Sequence, residues 1–162
     1  MTALETVHAI ELRGITKRFG AKVVANDHID LALDRGEILS LLGENGSGKT
    51  TLMNMLSGIY LPDEGEILME GKPIAIRSPK DAYDHGIGMI HQHFKLVDVF
   101  TAAENIVLGL HDGKKLDRKE IARKVREISD KYGFGIDPDK KIYDMSVSEK
   151  QTVEIVKVLY RG

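Results

Sequence analysis

The stretch that decides the fold is GENGSGKT, residues 43–50. It matches the pattern G-x-x-x-x-G-K-[ST], which requires two glycines, a lysine and a hydroxyl residue at fixed positions. Residues 38–42 before it are almost entirely apolar, which is typical of a strand covered on both faces. The segment TTLMNMLSG after it predicts a short helix that ends near Gly58. The order of strand, glycine-rich loop and helix predicts an α/β fold.

This loop has the composition of a phosphate-binding site. Glycines let the backbone fold closely around phosphate oxygens, and the start of the following helix adds the positive end of its dipole. Lys49 brings a charge to the outer phosphates, and the Thr50 hydroxyl can bind the Mg²⁺ that bridges them. A GTP-specific NKxD motif is absent, which weakens a GTPase interpretation. The predicted nucleotide-binding residues are Gly43, Glu44, Asn45, Gly46, Ser47, Gly48, Lys49, Thr50 and Thr51.

The overall composition excludes several classes of protein. The length of 162 residues suits one domain or a large part of one, and the net charge of −2 gives no electrostatic case for nucleic acid or anionic membrane. The absence of cysteine excludes disulfides and thiolate metal sites. No apolar run approaches the length of a membrane span, and the N-terminus lacks the features of a signal peptide.

The rest of the chain changes character near residue 95. Before it, alternating Ile29, Leu31 and Leu33 predict a strand, Glu70-Gly71 predicts a hairpin, and residues 87–94 predict a strand that runs into a loop. After it, helices predominate. Four helix starts are predicted by capping residues, namely Ser78-Pro79, Thr101 with Glu104, Asp117 with Glu120, and Ser146 with Glu149. We therefore expect subdomains at residues 1–94 and 95–162.

Three further stretches carry a resemblance to a known family. Phe19 lies in ITKRFG, Gln92 lies in IGMIHQHF, and residues 145–151 read MSVSEKQ. Together with GENGSGKT, they resemble the nucleotide-binding subunit of ABC transporters over nearly the whole chain. AAENIVLG and VEIVKVLYRG are most similar to the ATP-binding subunits of nucleoside or simple-sugar importers. The resemblance implies a P-loop NTPase core of the ABC type with an antiparallel β subdomain and a helical subdomain, within one partial domain over residues 1–162.

The resemblance also implies roles for single residues. Phe19 matches the aromatic that stacks on adenine, although it could be an ordinary half-buried aromatic. Gln92 matches the glutamine that reaches Mg²⁺ and the attacking water, so Thr50 and Gln92 are the implied metal ligands; an ordinary polar loop residue is the alternative. His91 and His93 flank it, but the spacing indicates no third metal ligand.

The segment MSVSEKQ matches the signature that binds the γ-phosphate of ATP held by a second subunit. A simple helix cap is the alternative. Ser148 stands where the family has its second glycine, and we hypothesise that its side chain weakens this half-site. The implied signature residues are Ser146, Val147, Ser148, Glu149 and Gln151.

Other catalytic residues of the family have no counterpart here. Family members continue into an apolar strand that ends in Asp-Glu, the Walker B pair, and later carry a switch histidine. No segment of this sequence matches either feature. We therefore expect a C-terminally truncated fold that binds ATP better than it hydrolyses it, from a parent protein that is an ABC transporter ATPase.

The implied function is MgATP binding that, in the intact protein, couples ATP hydrolysis to solute import through a membrane permease. The implied partners are permease subunits, a second nucleotide-binding domain and, indirectly, a solute-binding protein; no nucleic acid is expected. The implied location is cytoplasmic and peripheral at the inner face of the membrane. Two alternatives remain, a DNA-repair or chromosome-type ABC ATPase and a nucleotide-binding module without hydrolysis. The lack of coiled-coil sequence between Gln92 and Ser146 argues against the first.

Overall fold

The computed structural model describes residues 7–91, 94–110 and 117–161. The chain divides between Ile87 and Gly88 into two compact units. Among the described residues, no helix has both the length and the apolar character that a membrane span requires.

The first unit contains an antiparallel sheet of four strands. These are β1 (Ile10–Phe19), β2 (Val23–Leu33), β3 (Glu64–Met69) and β4 (Lys72–Ile74), in the spatial order β2-β1-β3-β4. Strands that are neighbours in the chain can pair through short connections, and here β1 pairs with β2 and β3 pairs with β4. The strand predicted from the alternating residues of β2 is confirmed.

The predicted hairpin is confirmed as well. Glu70 and Gly71 connect β3 to β4, and their φ angles are 51° and 75°. Two successive positive φ angles match the right-handed twist of the flanking strands, which is why a glycine in this pair signals a hairpin.

Two helices complete the first unit, α1 (Lys49–Leu56) and α2 (Pro79–Asp84). Ser78 caps α2 by accepting a hydrogen bond from the Asp81 N–H, as its position before a proline predicts. Leu52 and Met55 of α1 are buried in the apolar core of this unit. The other buried members of that core are Leu12, Ile15, Ile67, Ile76 and Ala82.

The strands predicted at residues 38–42 and 87–91 are wrong for this structure, in which both segments are irregular. Ile38 is 95% exposed and Leu42 is 93% exposed, so the first segment is not covered on both faces. A strand requires a hydrogen-bonded neighbour, and within the described part of the chain neither segment pairs with a strand. Apolar composition alone does not supply that neighbour.

The second unit is helical. It contains α3 (Ala102–Val107), α4 (Arg118–Tyr132), a short 3₁₀ turn (Ile142–Asp144) and α5 (Val147–Arg161). Its core is an apolar cluster to which all three α-helices contribute. The most deeply buried members are Ala102, Ile106, Val125, Ile142, Val153 and Val156.

The predicted helix starts in this unit are confirmed, with one difference in detail. Thr101 and Glu104 form both bonds of a capping box at α3. Asp117 caps α4 by accepting from the Lys119 N–H rather than by a reciprocal pair with Glu120. An N-cap oxygen can accept from the N–H of either the second or the third helical residue, and Asp117 uses that of the second residue, Lys119.

Candidate functional site

The glycine-rich loop turns sharply into α1. Gly46 and Gly48 have φ angles of 86° and 84°, which is the left-handed region that favours glycine. Gly48 is the N-cap of α1. A Cβ atom on Gly48 would lie 2.1 Å from the Ala25 carbonyl oxygen of β2, whereas one on Gly46 would meet no atom within 4 Å. The loop is therefore held closely against β2 at Gly48 and is open at Gly46.

The ammonium group of Lys49 lies inside this loop. Its Nζ donates to the carbonyl oxygens of Gly43 and Glu44, each at 2.7 Å, and to the Ser47 Oγ at 3.0 Å. The Ser47 N–H donates to the Glu44 carbonyl at 3.2 Å and closes the loop as a turn. All three partners of the ammonium are neutral oxygens. A phosphate oxygen would be a stronger acceptor, because hydrogen bonds between charged groups are the stronger class.

The start of α1 also favours an anion. The N-cap glycine has no side chain to accept from the first-turn N–H groups, and the first turn contains no acidic residue. The positive end of the helix dipole is therefore not compensated by a carboxylate in that turn. Together, the Lys49 charge and these N–H groups form an arrangement suited to phosphate.

Thr50 provides a hard oxygen donor for a metal ion. It is the second residue of α1 and is exposed, while Thr51 is half-buried. Among the residues that the structure describes, no cluster of three His, Asp or Glu side chains could hold a metal by itself. One hydroxyl beside a phosphate-binding loop fits Mg²⁺, which is commonly held by few protein ligands together with substrate phosphates and water. The second predicted ligand, Gln92, lies outside the described residues, as does His93.

Asn26 is a neighbour of the loop that the sequence analysis did not identify. This residue of β2 is 5% exposed, and its Nδ2 donates a long bond of 3.4 Å to the Gly48 carbonyl. Its Oδ1 has no hydrogen-bond partner in the described structure. Asp27 and His28 follow Asn26 in β2, so the sequence pattern does not distinguish Asn26 as a buried polar residue.

Phe19 lies at the end of β1 with 40% of its surface exposed. The Tyr60 ring meets it edge-on, with centroids 5.3 Å apart and planes at 75°. The Lys17 ammonium lies 5.7 Å from the Phe19 centroid. A partly exposed ring held by an edge contact has the geometry that stacking on a planar base requires. The sequence analysis did not identify Tyr60, although an aromatic residue just after α1 was visible.

The signature segment forms the start of α5. The Ser146 N–H donates to the Glu149 carboxylate at 2.8 Å, and the Glu149 N–H donates to the Ser146 Oγ at 3.3 Å. The predicted capping box is thus confirmed. Val147, Ser148 and Gln151 are exposed on the first turns of this helix.

Lys140 strengthens this helix start. Its Nζ donates to the second carboxylate oxygen of Glu149 at 2.6 Å. This bond, together with the Ser146 N–H, lowers the pKa of the Glu149 carboxyl to about 2. Sequence analysis missed Lys140, because a contact across an intervening 3₁₀ turn leaves no periodic signal.

The predicted residues therefore form two groups. Residues 43–51 form the glycine-rich loop and the start of α1 in the first unit, and Phe19 belongs to the same unit. Residues 146–151 form the start of α5 in the second unit. Both groups present exposed helix N-termini with hydroxyl side chains, at Thr50 and Ser146. This arrangement is suited to binding phosphate in each unit.

Comparison with known proteins gives one consistent result. A family model described as ABC transporter matches residues 26–162. The guanosine import ATP-binding protein NupO of Bacillus subtilis is 52% identical over 157 residues, which are 96% of this chain and 31% of that protein. The nucleoside import ATP-binding protein NupA of Lactococcus lactis is 53% identical over 162 residues, which are 99% of this chain and 31% of that protein. The chain thus spans about a third of the length of these relatives.

Solved structures show the same fold. A nucleotide-free ATP-binding cassette from an ABC transporter has a TM-score of 0.82 at 25% identity, over 95% of this chain and 65% of that chain. The ADP conformation of MJ1267, an ATP-binding cassette of an ABC transporter, has a TM-score of 0.83 at 25% identity, over 96% of this chain and 66% of that chain. The fold class predicted from the sequence is confirmed.

Proposed function

Because the chain belongs to the ABC transporter family, we propose that it binds MgATP as part of an importer's ATP-binding protein. With the rest of that protein, it would couple ATP hydrolysis to solute import through a membrane permease. The observation that carries this proposal is the Lys49 ammonium, which lies inside a glycine-rich loop at an uncompensated helix N-terminus. The names of the relatives, which specify guanosine import and nucleoside import, support the transport part.

The first unit would hold the nucleotide through its own groups. Lys49 would exchange its neutral oxygen partners for phosphate oxygens, and the first-turn N–H groups of α1 would donate to the same phosphates. Thr50 would hold Mg²⁺, which when bound neutralises charge that develops on the phosphates. The exposed face of Phe19 would stack on the base.

The second unit would present the start of α5 to the nucleotide of a second domain. Ser146 offers a hydroxyl, and the first turn of α5 offers N–H groups. Glu149 joins the cap to Lys140 and holds this turn in place. Gln92 would reach the Mg²⁺ and the attacking water. The predicted subdomains at residues 1–94 and 95–162 would then each carry one phosphate-binding element, and the two elements would serve different nucleotides.

The partners follow from this assignment. We propose permease subunits, a second nucleotide-binding domain in a dimer or tandem, and indirectly a solute-binding protein. A location at the cytoplasmic face of the membrane follows from attachment to the permease. The solutes would be nucleosides or simple sugars, in line with the import proteins that the chain resembles.

A titration with MgATP tests the binding site. Lys49→Ala should weaken binding by roughly tenfold or more, because it removes charged hydrogen bonds to phosphate. Lys72→Ala is a matched control, since Lys72 is an exposed lysine on β4 of the same unit. Equal affinity in the two variants would refute the assignment of the loop.

The transport part needs a second measurement. The full-length protein, reconstituted with its permease in liposomes, should turn over ATP and import a nucleoside or sugar. The Lys49→Ala variant should lose both activities. ATP binding without permease-dependent turnover would instead support a nucleotide-binding module that does not hydrolyse.

A further inference from the structure

The ring of Phe19 is in contact with a second aromatic ring that belongs to the turn after α1. Tyr60 lies in this turn, which follows the last residue of α1, Leu56. The centroids of the two rings are 5.3 Å apart and their planes are at 75°, which is the edge-to-face arrangement that aromatic pairs prefer. A side chain at the end of a strand can otherwise turn about its own torsions. The contact therefore limits the orientations that are open to the Phe19 ring.

The backbone of Tyr60 is fixed to α1. Its N–H donates to the Asn54 carbonyl at 3.2 Å, and the Ile59 N–H donates to the same carbonyl at 2.9 Å. Gly58 has a φ angle of 73°, and a Cβ atom there would lie 2.2 Å from the Ser78 carbonyl oxygen. The turn after α1 is thus held by α1 on one side and by the N-cap of α2 on the other. Tyr60 therefore extends from a fixed piece of backbone.

Asp63, a little further along the same connection, holds the end of β1. Its carboxylate accepts the Arg18 N–H at 2.6 Å and the Lys17 ammonium at 2.9 Å. Its own N–H donates to the Thr16 carbonyl at 2.9 Å. The Arg18 N–H, and after it the Lys17 ammonium, lower the pKa of the Asp63 carboxyl, so this group is a carboxylate at neutral pH. The connection from α1 to β3 thus bonds to the backbone just before Phe19.

Helix α1 therefore connects the proposed phosphate site to the proposed base site. Its first residue is Lys49, and the turn after its last residue provides the ring that contacts Phe19. We propose that Tyr60 is a positioning residue for base recognition, which fixes the Phe19 ring relative to α1 so that the base and the phosphates of one nucleotide are bound together.

This proposal rests on the proposed function, because it uses the stacking role of Phe19 and the phosphate-binding role of α1. It goes further by assigning to Tyr60 a contribution that depends on the base of the nucleotide. A ring that is already oriented loses less conformational freedom when a base stacks on it, so Tyr60 lowers the cost of binding. The contacts of Lys49 lie at the opposite end of α1, so affinity for the phosphates alone does not depend on Tyr60.

Calorimetric titration of the full chain with MgATP and with magnesium tripolyphosphate tests this dependence. Tyr60→Leu keeps an apolar side chain but removes the ring, and it should weaken MgATP binding roughly two- to tenfold, the range expected for an aromatic pair. It should leave the affinity for tripolyphosphate unchanged. Tyr60→Phe should retain the affinity for both ligands, because the edge-to-face contact requires only the ring.

Tyr132→Leu is the matched control for the loss of a tyrosine ring. Tyr132 is an exposed tyrosine of the second unit that stacks on Phe134, with centroids 5.7 Å apart. Its replacement removes an aromatic pair that has no part in the proposed base site, so both affinities should stay unchanged.

A double-mutant cycle with Phe19→Leu tests whether Tyr60 acts through Phe19. Phe19→Leu alone should weaken MgATP binding roughly fivefold or more, because it removes the stacking of the base on an aromatic ring. Tyr60→Leu in that background should cause no further loss, because no ring remains to be positioned. A general structural role of Tyr60 would instead give two losses that multiply. If Tyr60→Leu fails to fold, Tyr60→Met, which is apolar and adaptable, replaces it in both experiments.

The outcomes distinguish a failure of the positioning role from a failure of the proposed function. Equal MgATP affinity in the wild type and Tyr60→Leu would overturn the positioning role alone. An equal loss of affinity for MgATP and tripolyphosphate would also overturn it, as would a full additional loss in the Phe19→Leu background. A wild-type chain that does not bind MgATP would refute the proposed function, and the positioning role with it.

Discussion

Gly48 and Gly46 should differ sharply in their tolerance of alanine, although they lie in the same loop with nearly the same φ. Their φ angles are 84° and 86°, so alanine at either position bears the same cost of a left-handed conformation, about 1–2 kcal/mol. Only at Gly48 does the new methyl group meet the protein, at 2.1 Å from the Ala25 carbonyl oxygen. Relieving that overlap requires α1 or β2 to shift, which adds about 1–3 kcal/mol.

Urea unfolding of the full chain, followed by circular dichroism, measures this difference. Gly46→Ala should lower the free energy of unfolding by about 1–2 kcal/mol, and Gly48→Ala by about 2–5 kcal/mol. Removing the Asn26 side chain in the Gly48→Ala background should not restore stability, because the nearest atom is the backbone oxygen of Ala25. Equal losses in the two single variants would refute the close contact between the loop and β2.

Three further predictions concern the second unit. The Glu149 carboxyl should titrate near pH 2 in an NMR experiment, so its contribution to stability is present above about pH 4.5 and is lost as the pH falls toward 2. Lys140→Met should raise this pKa. A wild-type pKa near 4.5 would contradict the contact between Lys140 and Glu149. Asn105→Leu should lower the free energy of unfolding by about 2–4 kcal/mol, because both backbone groups of Val97 lose a buried partner; a loss close to zero in urea unfolding would contradict this. Ser148→Gly in the full-length protein should strengthen ATP-dependent association in sedimentation experiments, and unchanged association together with unchanged ATP hydrolysis would count against the hypothesis of a weakened half-site.

Features with a local cause were predictable from the sequence. A helix cap depends on residues three or four positions apart, which is why Thr101 with Glu104 and Ser146 with Glu149 were both found. The hairpin at Glu70 depends on the glycine that follows it. The phosphate loop depends on eight consecutive residues. In each case, the physical constraint acts among residues that are close together in the sequence.

Contacts between distant residues were not predictable. Glu154 meets Lys95 across 59 positions, and nothing in the periodicity of α5 distinguishes a buried glutamate from an exposed one. Asn105 lies within a capped helix, where an asparagine would ordinarily face solvent. Asn26, which donates to the Gly48 carbonyl, is likewise a polar side chain whose contact joins residues far apart in the sequence. These three buried polar groups depend on tertiary packing, which a single sequence does not report.

The failed strand at residues 38–42 shows how the phosphate loop is held in place. Its apolar run predicted a strand covered on both faces, but Ile38 and Leu42 are almost fully exposed, and only Leu41 of this segment packs against the core. The segment before the loop therefore contributes little to fixing it in this structure. The loop is instead fixed from its other end, where Gly48 lies against Ala25 and where α1 is buried through Leu52 and Met55. The first residue of α1, Lys49, also holds the start of the loop, because its ammonium donates hydrogen bonds to the Gly43 and Glu44 carbonyls. The lysine that would contact phosphate thus also gives the loop its shape, so phosphate would have to compete with the loop's own carbonyls for the Lys49 charge.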